Sequence, residues 1–393
     1  MTIVYFISSI GSEKIGIGGH FHSLKTISNS INSKEVDTHI FNVGIKPSLV
    51  LKNENNFQFF YYNGLNVLET LYNIIKVCKE LDPDYYHAFD ANSSLFANIL
   101  GYKFKKPFFL NKCGGSNQVK FFPYSPNLIL FSNDNFLYFK NKPKFNDSRL
   151  KLIPNRVQNF ETNISLVEEL INDYSLDNKQ IFLRITRISK FYKKTIFQAI
   201  NLINKIHEKN KNVCLLIIGT VQDQDVYIDL KSLENNFIKI IIDQKYVTNA
   251  KAIIDVSDFV IGTGRGFMEA CSKNKIMLAP NSNLDYPVLV SDSNFLEIFN
   301  MNFSERYISN LKELNESFKN IEKLINKKVL QSDSKKWFDL YFSSEKIKKN
   351  YINFYKTSEY KVLKLNICIY VFFDFIYQVL SAILQFRNFK KNT

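Results

Sequence analysis

The stretch Val260-Ile-Gly-Thr-Gly-Arg-Gly-Phe-Met-Glu269-Ala270 decides how this chain is read. An apolar run, Asp258-Phe-Val-Ile261, leads into it, and a helix-like run over residues 267–273 leads out. Gly262, Gly264 and Gly266 let the backbone come close to a ligand and take positive φ where a turn needs it. A helix starting there points unpaired amides and the positive end of its dipole back at that ligand. Glu269 is expected in the first turn, where a carboxylate is stabilised and can accept hydrogen bonds from sugar hydroxyls. The same residues also make an ordinary strand–turn–helix corner, so the rest of the chain has to decide.

With 393 residues, 45% hydrophobic and 22% charged, the chain is globular and long enough for two domains. The formal charge of +14 calls for anionic partners: a phosphorylated small molecule, an anionic membrane surface or nucleic acid. Nucleic acid is set aside, because there is no basic block, zinc-finger spacing or RNA-binding aromatic motif. The five cysteines (78, 113, 214, 271, 368) show no CxxC spacing, and no signal-peptide pattern precedes the apolar run Thr2-Ile-Val-Tyr-Phe-Ile7. Both features lead us to expect a reducing cytoplasm.

Residues 2–9 read as a buried strand. A glycine-rich loop follows, Gly11-Ser-Glu-Lys-Ile-Gly16-Ile-Gly18-Gly19-His20-Phe-His22, and then a helical pattern through Ile27 and Ile31. Strand, glycine loop and helix form a phosphate-binding corner, although the GxGxxG spacing of a dinucleotide fingerprint is not met. Strands are expected at 36–43, 85–89, 107–110 and 128–131, with helices at 65–81 and 93–100. The fourth corner is Asn111-Lys112-Cys113-Gly114-Gly115-Ser-Asn117. A polar link at 161–179 leads to a second series. Its strands are expected at 181–185, 213–218, 237–242, 259–261 and 276–279, and its helices include 195–208 and 248–256. Alternating β and α units give parallel sheets, and two series give an α/β chain of two doubly wound domains with a cleft between them. After the first strand of the second series comes Arg187-Ile-Ser-Lys190-Phe-Tyr-Lys193-Lys194. A phosphate there would meet both cations and a helix N-terminus.

In their order and spacing these stretches resemble the family-4-like retaining glycosyltransferases of the GT-B fold, from Ile3 to about Tyr355. Gly18-Gly19 resembles that family's first-domain glycine loop, near the donor phosphate. Leu152-Ile-Pro-Asn155 resembles the element that enters the second domain. Arg187 resembles the donor-phosphate arginine, with Lys193 or Lys194 as its partner. Gly264-Arg265-Gly266-Phe-Met-Glu269-Ala270 resembles the run whose glutamate holds the nucleotide ribose. Phe342-Ser-Ser-Glu345, with Tyr351 and Tyr355, is similar to the closing helix that returns to the first domain. Two positions depart from the pattern. Ile261 stands where members often carry a glutamate near the transferred sugar, and Lys112-Cys113 stands where many have a histidine before the loop glycine.

The resemblance implies a first domain at 1–155 on the acceptor side, a nucleotide-sugar domain at 156–340, a crossing helix at 341–360 and an added tail at 361–393. It implies sugar transfer with retention from a UDP-, GDP- or ADP-sugar to a saccharide or lipid-linked acceptor. Arg187, a lysine and the helix start would meet the leaving diphosphate, so no metal or other cofactor is expected. His20, His22, His87, Cys113, Gly114, Gly115 and Asn117 are the acceptor-side candidates. Asp82-Pro-Asp84 and Asp223-Gln-Asp225 read as turns rather than metal sites. Beyond Tyr355, residues 362–386 are strongly apolar, with Asp374, Gln378, Ser381 and Gln385 on one narrow stripe and Arg387, Lys390 and Lys391 following. This tail is expected to lie in the plane of an anionic membrane, or else to pack on the first domain or on a second subunit. A same-fold nucleotide-sugar epimerase and a non-catalytic scaffold subunit are the competing functions.

Overall fold

The structure is a computed structural model that describes residues 1–10, 18–115, 117, 121–327 and 332–392. Residues 11–17 of the glycine-rich loop lie outside the described residues. The chain divides into two compact units, Met1–Arg156 together with the segment from Ser344 onward, and Val157–Ser343.

In the first unit the strands are β1 (Thr2–Ser9), β2 (Asp37–Gly44), β3 (Phe57–Tyr61), β4 (Tyr85–Ala88), β5 (Phe108–Lys112), β6 (Asn127–Leu130) and β7 (Arg149–Leu152). They form one parallel sheet in the order β3-β2-β1-β4-β5-β6-β7. β1 pairs through Thr2↔Asp37 on one side and Ile3↔Tyr85 on the other. Its continuous apolar run follows from burial on both faces. Val4 and Phe6 enter one core, and Ile3, Tyr5 and Ile7 enter the other. The helix Ser344–Lys356 covers that second core with Ile347, Tyr351, Phe354 and Tyr355. The chain therefore returns to the first unit after completing the second.

The second unit holds β8 (Gln180–Ile185), β9 (Val213–Ile218), β10 (Ile238–Ile241), β11 (Phe259–Ile261), β12 (Ile276–Ala279) and β13 (Val288–Leu289), in the order β10-β9-β8-β11-β12-β13. All neighbours are parallel except the short edge strand β13. Parallel pairing brings the carboxyl ends of β8, β9, β11 and β12 to one edge of the sheet, where ligands of doubly wound sheets bind.

Several elements differ from the sequence expectation. β3, Phe57-Gln-Phe-Phe-Tyr61, is an edge strand with a strongly aromatic sequence, set in an Asn-rich segment that reads as a loop. The expected link at 161–179 contains the helix Ile164–Tyr174, capped by the Asn163 side chain accepting from the Leu166 amide and anchored by Leu166 and Leu170. The helix expected at 248–256 is a short helix, Gln244–Thr248, followed by a 3₁₀ segment, Ala250–Val256. Asp243 caps the Lys245 amide at 2.9 Å and so starts the helical path earlier.

The tail forms one helix, Leu365–Asn392, lying along the first unit. Ile367 and Ala382 enter its core, with Val371, Phe375 and Val379 against it. It is long and apolar enough to cross a membrane by length and composition.

Candidate functional site

In the second unit the site begins at the carboxyl end of β8. Gly219, just past β9, sits so close to the Thr186 carbonyl that a Cβ would lie 1.6 Å from its oxygen. The Thr186 amide donates to the Ile218 carbonyl and the Ile188 amide to the Thr220 carbonyl. These contacts fix the path of the Arg187 loop. Asp223 stands at the start of the next helix, Gln224–Lys231, but its carboxylate turns to the Lys190 amide instead, accepting from it at 2.7 Å. The Asp-x-Asp at 223–225 thus shapes the basic loop. Arg187 donates to the Tyr192 hydroxyl at 2.8 Å and lies over its ring.

The two lysines left open by spacing diverge here. Lys193 pairs with Asp229 at 2.6 Å, on the helix that follows β9. Lys194 donates to the Ser282 carbonyl, just beyond β12. Because β11 lies between β8 and β12, Lys194 reaches across the mouth of β11, whereas Lys193 turns the other way.

At that mouth stand Gly262, Thr263 and Gly264. A Cβ on Gly262 would meet the Phe267 backbone at 2.7 Å, and Gly264 takes φ +48°, so both positions need glycine. The helix runs Gly264–Ser272, earlier than expected, which moves Glu269 into its second turn. Thr263 and the Gly-Arg-Gly run are themselves the helix start, so Glu269 is not the dipole partner anticipated above. Instead Glu269 accepts from Arg265 Nε at 2.8 Å, one turn back on the same face, and both side chains are largely buried. Gly266 has nothing within 4 Å of where a Cβ would sit, so open space lies beside it.

Two features of this corner escaped the sequence reading. Arg184 is fully buried in β8 and donates to the Ile261 carbonyl and to Thr195 Oγ1, each at 2.9 Å. Burial pulls its pKa down to about 10. It ties the end of β11 to the helix Lys193–Lys209, and a charge inside an otherwise apolar strand was its sequence signal. The second feature is the pair Asn302 and Phe303, both at positive φ without being glycine. The Asn302 carbonyl accepts from the Gly264 amide at 3.1 Å, and the Phe303 ring stacks on Phe267 at 3.7 Å. Such strain is held in place by its surroundings and clusters at functional sites. Ile261 itself is buried and apolar, so it places no carboxylate at this mouth.

In the first unit, Gly18 caps the helix Gly19–Ile31 in extended backbone, and its Cβ position lies 3.1 Å from the His20 ring. Gly19 has open space around its Cβ position. His20 and His22 are half-buried in the first turn of that helix. At the end of β5, Gly114 and Gly115 both take positive φ, and Lys112 donates to the Gly114 carbonyl at 2.5 Å. Asn117 donates to the Asp134 carboxylate at 3.2 Å and accepts from Asn135. Cys113 donates to the Phe89 carbonyl, and burial pushes its thiol up to about 12, far from a nucleophile.

His87 turns out to be a core residue. It is fully buried, with Nδ1 2.6 Å from the Tyr355 hydroxyl and Nε2 3.1 Å from Asn111 Oδ1. Rings of Tyr5, Phe89, Phe109 and Tyr351 surround it, and burial lowers its pKa to about 3. Beside it the fully buried Arg156 donates to the Tyr351 hydroxyl at 2.8 Å.

No family model matches the sequence, and no curated protein does. Solved structures do. HepE from Anabaena, in complex with UDP-glucose, is 14% identical with TM-score 0.64, covering 91% of this chain and 100% of its own. A glycosyltransferase from Rickettsia africae is 14% identical with TM-score 0.65, covering 90% and 97%. The UDP-GlcNAc 2-epimerase from Methanocaldococcus jannaschii is 15% identical with TM-score 0.55, covering 90% and 99%. With its two parallel-sheet units, the chain has the GT-B fold.

Proposed function

We propose that this chain is a retaining, metal-independent glycosyltransferase. It moves a sugar from a nucleotide-sugar donor to a saccharide or lipid-linked acceptor, building a bacterial cell-surface polysaccharide at the cytoplasmic face of the membrane. The observation that carries the proposal is the convergence of Arg187, Lys194 and the helix start at Gly264 on one edge of the second sheet. Uridine diphosphate is the nucleotide favoured, since HepE was solved with UDP and with UDP-glucose.

As the bond from the sugar to the diphosphate breaks, negative charge grows on the departing phosphate. Arg187 would meet it with paired N–H groups, Lys194 with a point charge, and the helix Gly264–Ser272 with the positive end of its dipole. Lys194 is preferred to Lys193 because Lys193 is held by Asp229 on the far side of β8. Glu269, oriented by Arg265, would accept the ribose hydroxyls. Ile261 offers no nucleophile, so retention would have the acceptor attack from the face the diphosphate leaves. In the first unit, His20, His22 and the Gly114-Gly115 turn remain the acceptor candidates.

The test is release of UDP from a panel of UDP-sugars, with and without EDTA, together with the anomeric configuration of the product. Release that survives EDTA and falls at least about tenfold in Arg187→Ala and Glu269→Gln supports the proposal. The epimerase neighbour gives a second reading its footing. That reading is upheld if a UDP-sugar returns as its epimer with the diphosphate still attached. A wild-type protein that binds no nucleotide-sugar sinks both and leaves a scaffold role.

A further inference from the structure

The tail helix Leu365–Asn392 is built inside out. Its polar stripe, which an in-plane membrane helix would turn toward water, faces the protein. Asp374 is buried, accepting from the Tyr124 amide at 2.7 Å and pairing with Lys144 at 2.6 Å. Gln378 is buried on the same stripe. The opposite face carries Ile369, Phe372, Phe373, Ile376, Leu380 and Leu384 into solvent, Phe372 and Phe373 being about three-fifths exposed at 61% and 62%. Between 365 and 386 the chain has a single charge, Asp374, and it is the buried one. Packing and solvent exposure are thus reversed relative to a water-facing amphipathic helix.

The apolar face does not end with the helix. Exposed Phe121 stacks on Tyr377 at 4.7 Å. A Cβ on Gly64, at φ +89°, would lie 2.6 Å from Ile383. From the next residue onward Leu65, Leu68 and Tyr72 form another exposed apolar stripe. Basic residues flank the surface: Lys361 before the helix, beside a Lys364 already paired with Asp147 at 2.8 Å, and Arg387, Lys390 and Lys391 at its end, with Lys46 over the Phe389 ring. A broad apolar face with positive charge at its margins matches the acyl and headgroup layers of an anionic bilayer.

We propose that this face is a monotopic membrane-docking surface. The helix is clamped to the first unit by Asp374 and lies flat, its Phe372–Phe373–Ile376–Leu380 side sunk among lipid chains. A spanning helix would have to give up the contacts from Ile367 to Ile383 and expose Asp374 to lipid. The proposal rests on the membrane location in the function proposed above but not on sugar transfer, so nucleotide binding reports separately.

The experiment is vesicle flotation of the full chain with phosphatidylcholine vesicles, without and with phosphatidylglycerol. Wild type should float with the anionic vesicles. Phe372→Ser/Phe373→Ser/Ile376→Ser should weaken partitioning by about tenfold for each side chain removed, with UDP binding unchanged. Arg387→Glu/Lys390→Glu/Lys391→Glu should abolish the preference for phosphatidylglycerol. Equal flotation of the triple apolar variant would overturn the proposal. So would a lipid-free wild-type dimer that the same variant dissociates, because a second copy would then cover the face. Thiols introduced one at a time at Lys364→Cys and Asn388→Cys, in a Cys368→Ser background, should each add a site that reacts with an impermeant maleimide outside the vesicles, as peptide mapping would show. Protection of one end alone would show a spanning helix and refute the docked geometry.

Discussion

Burial of His87 makes a quantitative demand on stability. The ring has no contact with solvent and sits between Tyr355 and Asn111, with the Arg156 guanidinium nearby. Burial, opposed by the Asn111 hydrogen bond and reinforced by Arg156, lowers its pKa from 6.5 to about 3. Below pH 6.5 the unfolded chain therefore takes up a proton that the folded chain refuses. Stability from this residue is complete above 6.5 and is lost as pH falls toward 3. At pH 5 the loss is about 2 kcal/mol, a large share of a domain's marginal stability. His87→Gln removes the titration while keeping a polar side chain. Urea unfolding at pH 7.5 and pH 5 should show the first unit losing about 2 kcal/mol more in wild type than in the variant. The other titrating groups are shared by both proteins and cancel. The single tryptophan, Trp337, lies in the second unit, so its fluorescence follows that unit alone, and the part of the circular dichroism change it does not account for reports the first unit. Equal pH dependence in wild type and His87→Gln would refute the buried neutral histidine.

Other outcomes follow from the same structure. Arg184→Met removes two charged hydrogen bonds and leaves the Ile261 carbonyl unpaired in the core, so the Trp337-reported transition should lose about 3 kcal/mol and UDP affinity should fall with it. Gly64→Ala forces a side chain into left-handed backbone and against Ile383. It should cost at least about 1 kcal/mol and make the tail sensitive to limited proteolysis, whereas an unchanged digest would refute the close approach. Cys113 should resist maleimide at pH 7.5 while exposed Cys368 reacts, as peptide mapping would show.

Much of the fold was legible because parallel strands buried on both faces leave continuous apolar runs, as in Thr2-Ile-Val-Tyr-Phe-Ile7 and Val213–Ile218. β3 was not, although four of its five residues are aromatic, because it is flanked by Asn-rich sequence that reads as a loop. The helix Ile164–Tyr174 was masked by its polar neighbours, although Leu166 and Leu170 carried the spacing. Around the candidate site, the glycines and basic residues were readable as types at fixed offsets. Their partners were not. Lys193 and Lys194 are adjacent in sequence, yet tertiary neighbours send one to Asp229 and the other to Ser282. His87 looked like a cleft residue because it ends a strand, but the helix Ser344–Lys356, more than 250 residues later, closes over it. The tail's polar stripe was visible in the sequence. Which way it faced was set by Tyr124 and Lys144, which no local pattern could reveal.

Sugar transfer as proposed depends on a phosphate and ribose site at the carboxyl edge of the second sheet. Calorimetric titration of the full chain with UDP, GDP and ADP, without and then with Mg²⁺, tests it most directly. UDP should bind without metal, and Arg187→Ala, Lys194→Ala and Glu269→Ala should each weaken it by about tenfold or more, while Lys193→Ala changes it little. Binding that requires Mg²⁺, or that depends on Lys193 and not on Lys194, would contradict the geometry. Absence of binding to all three nucleotides would remove the donor site altogether.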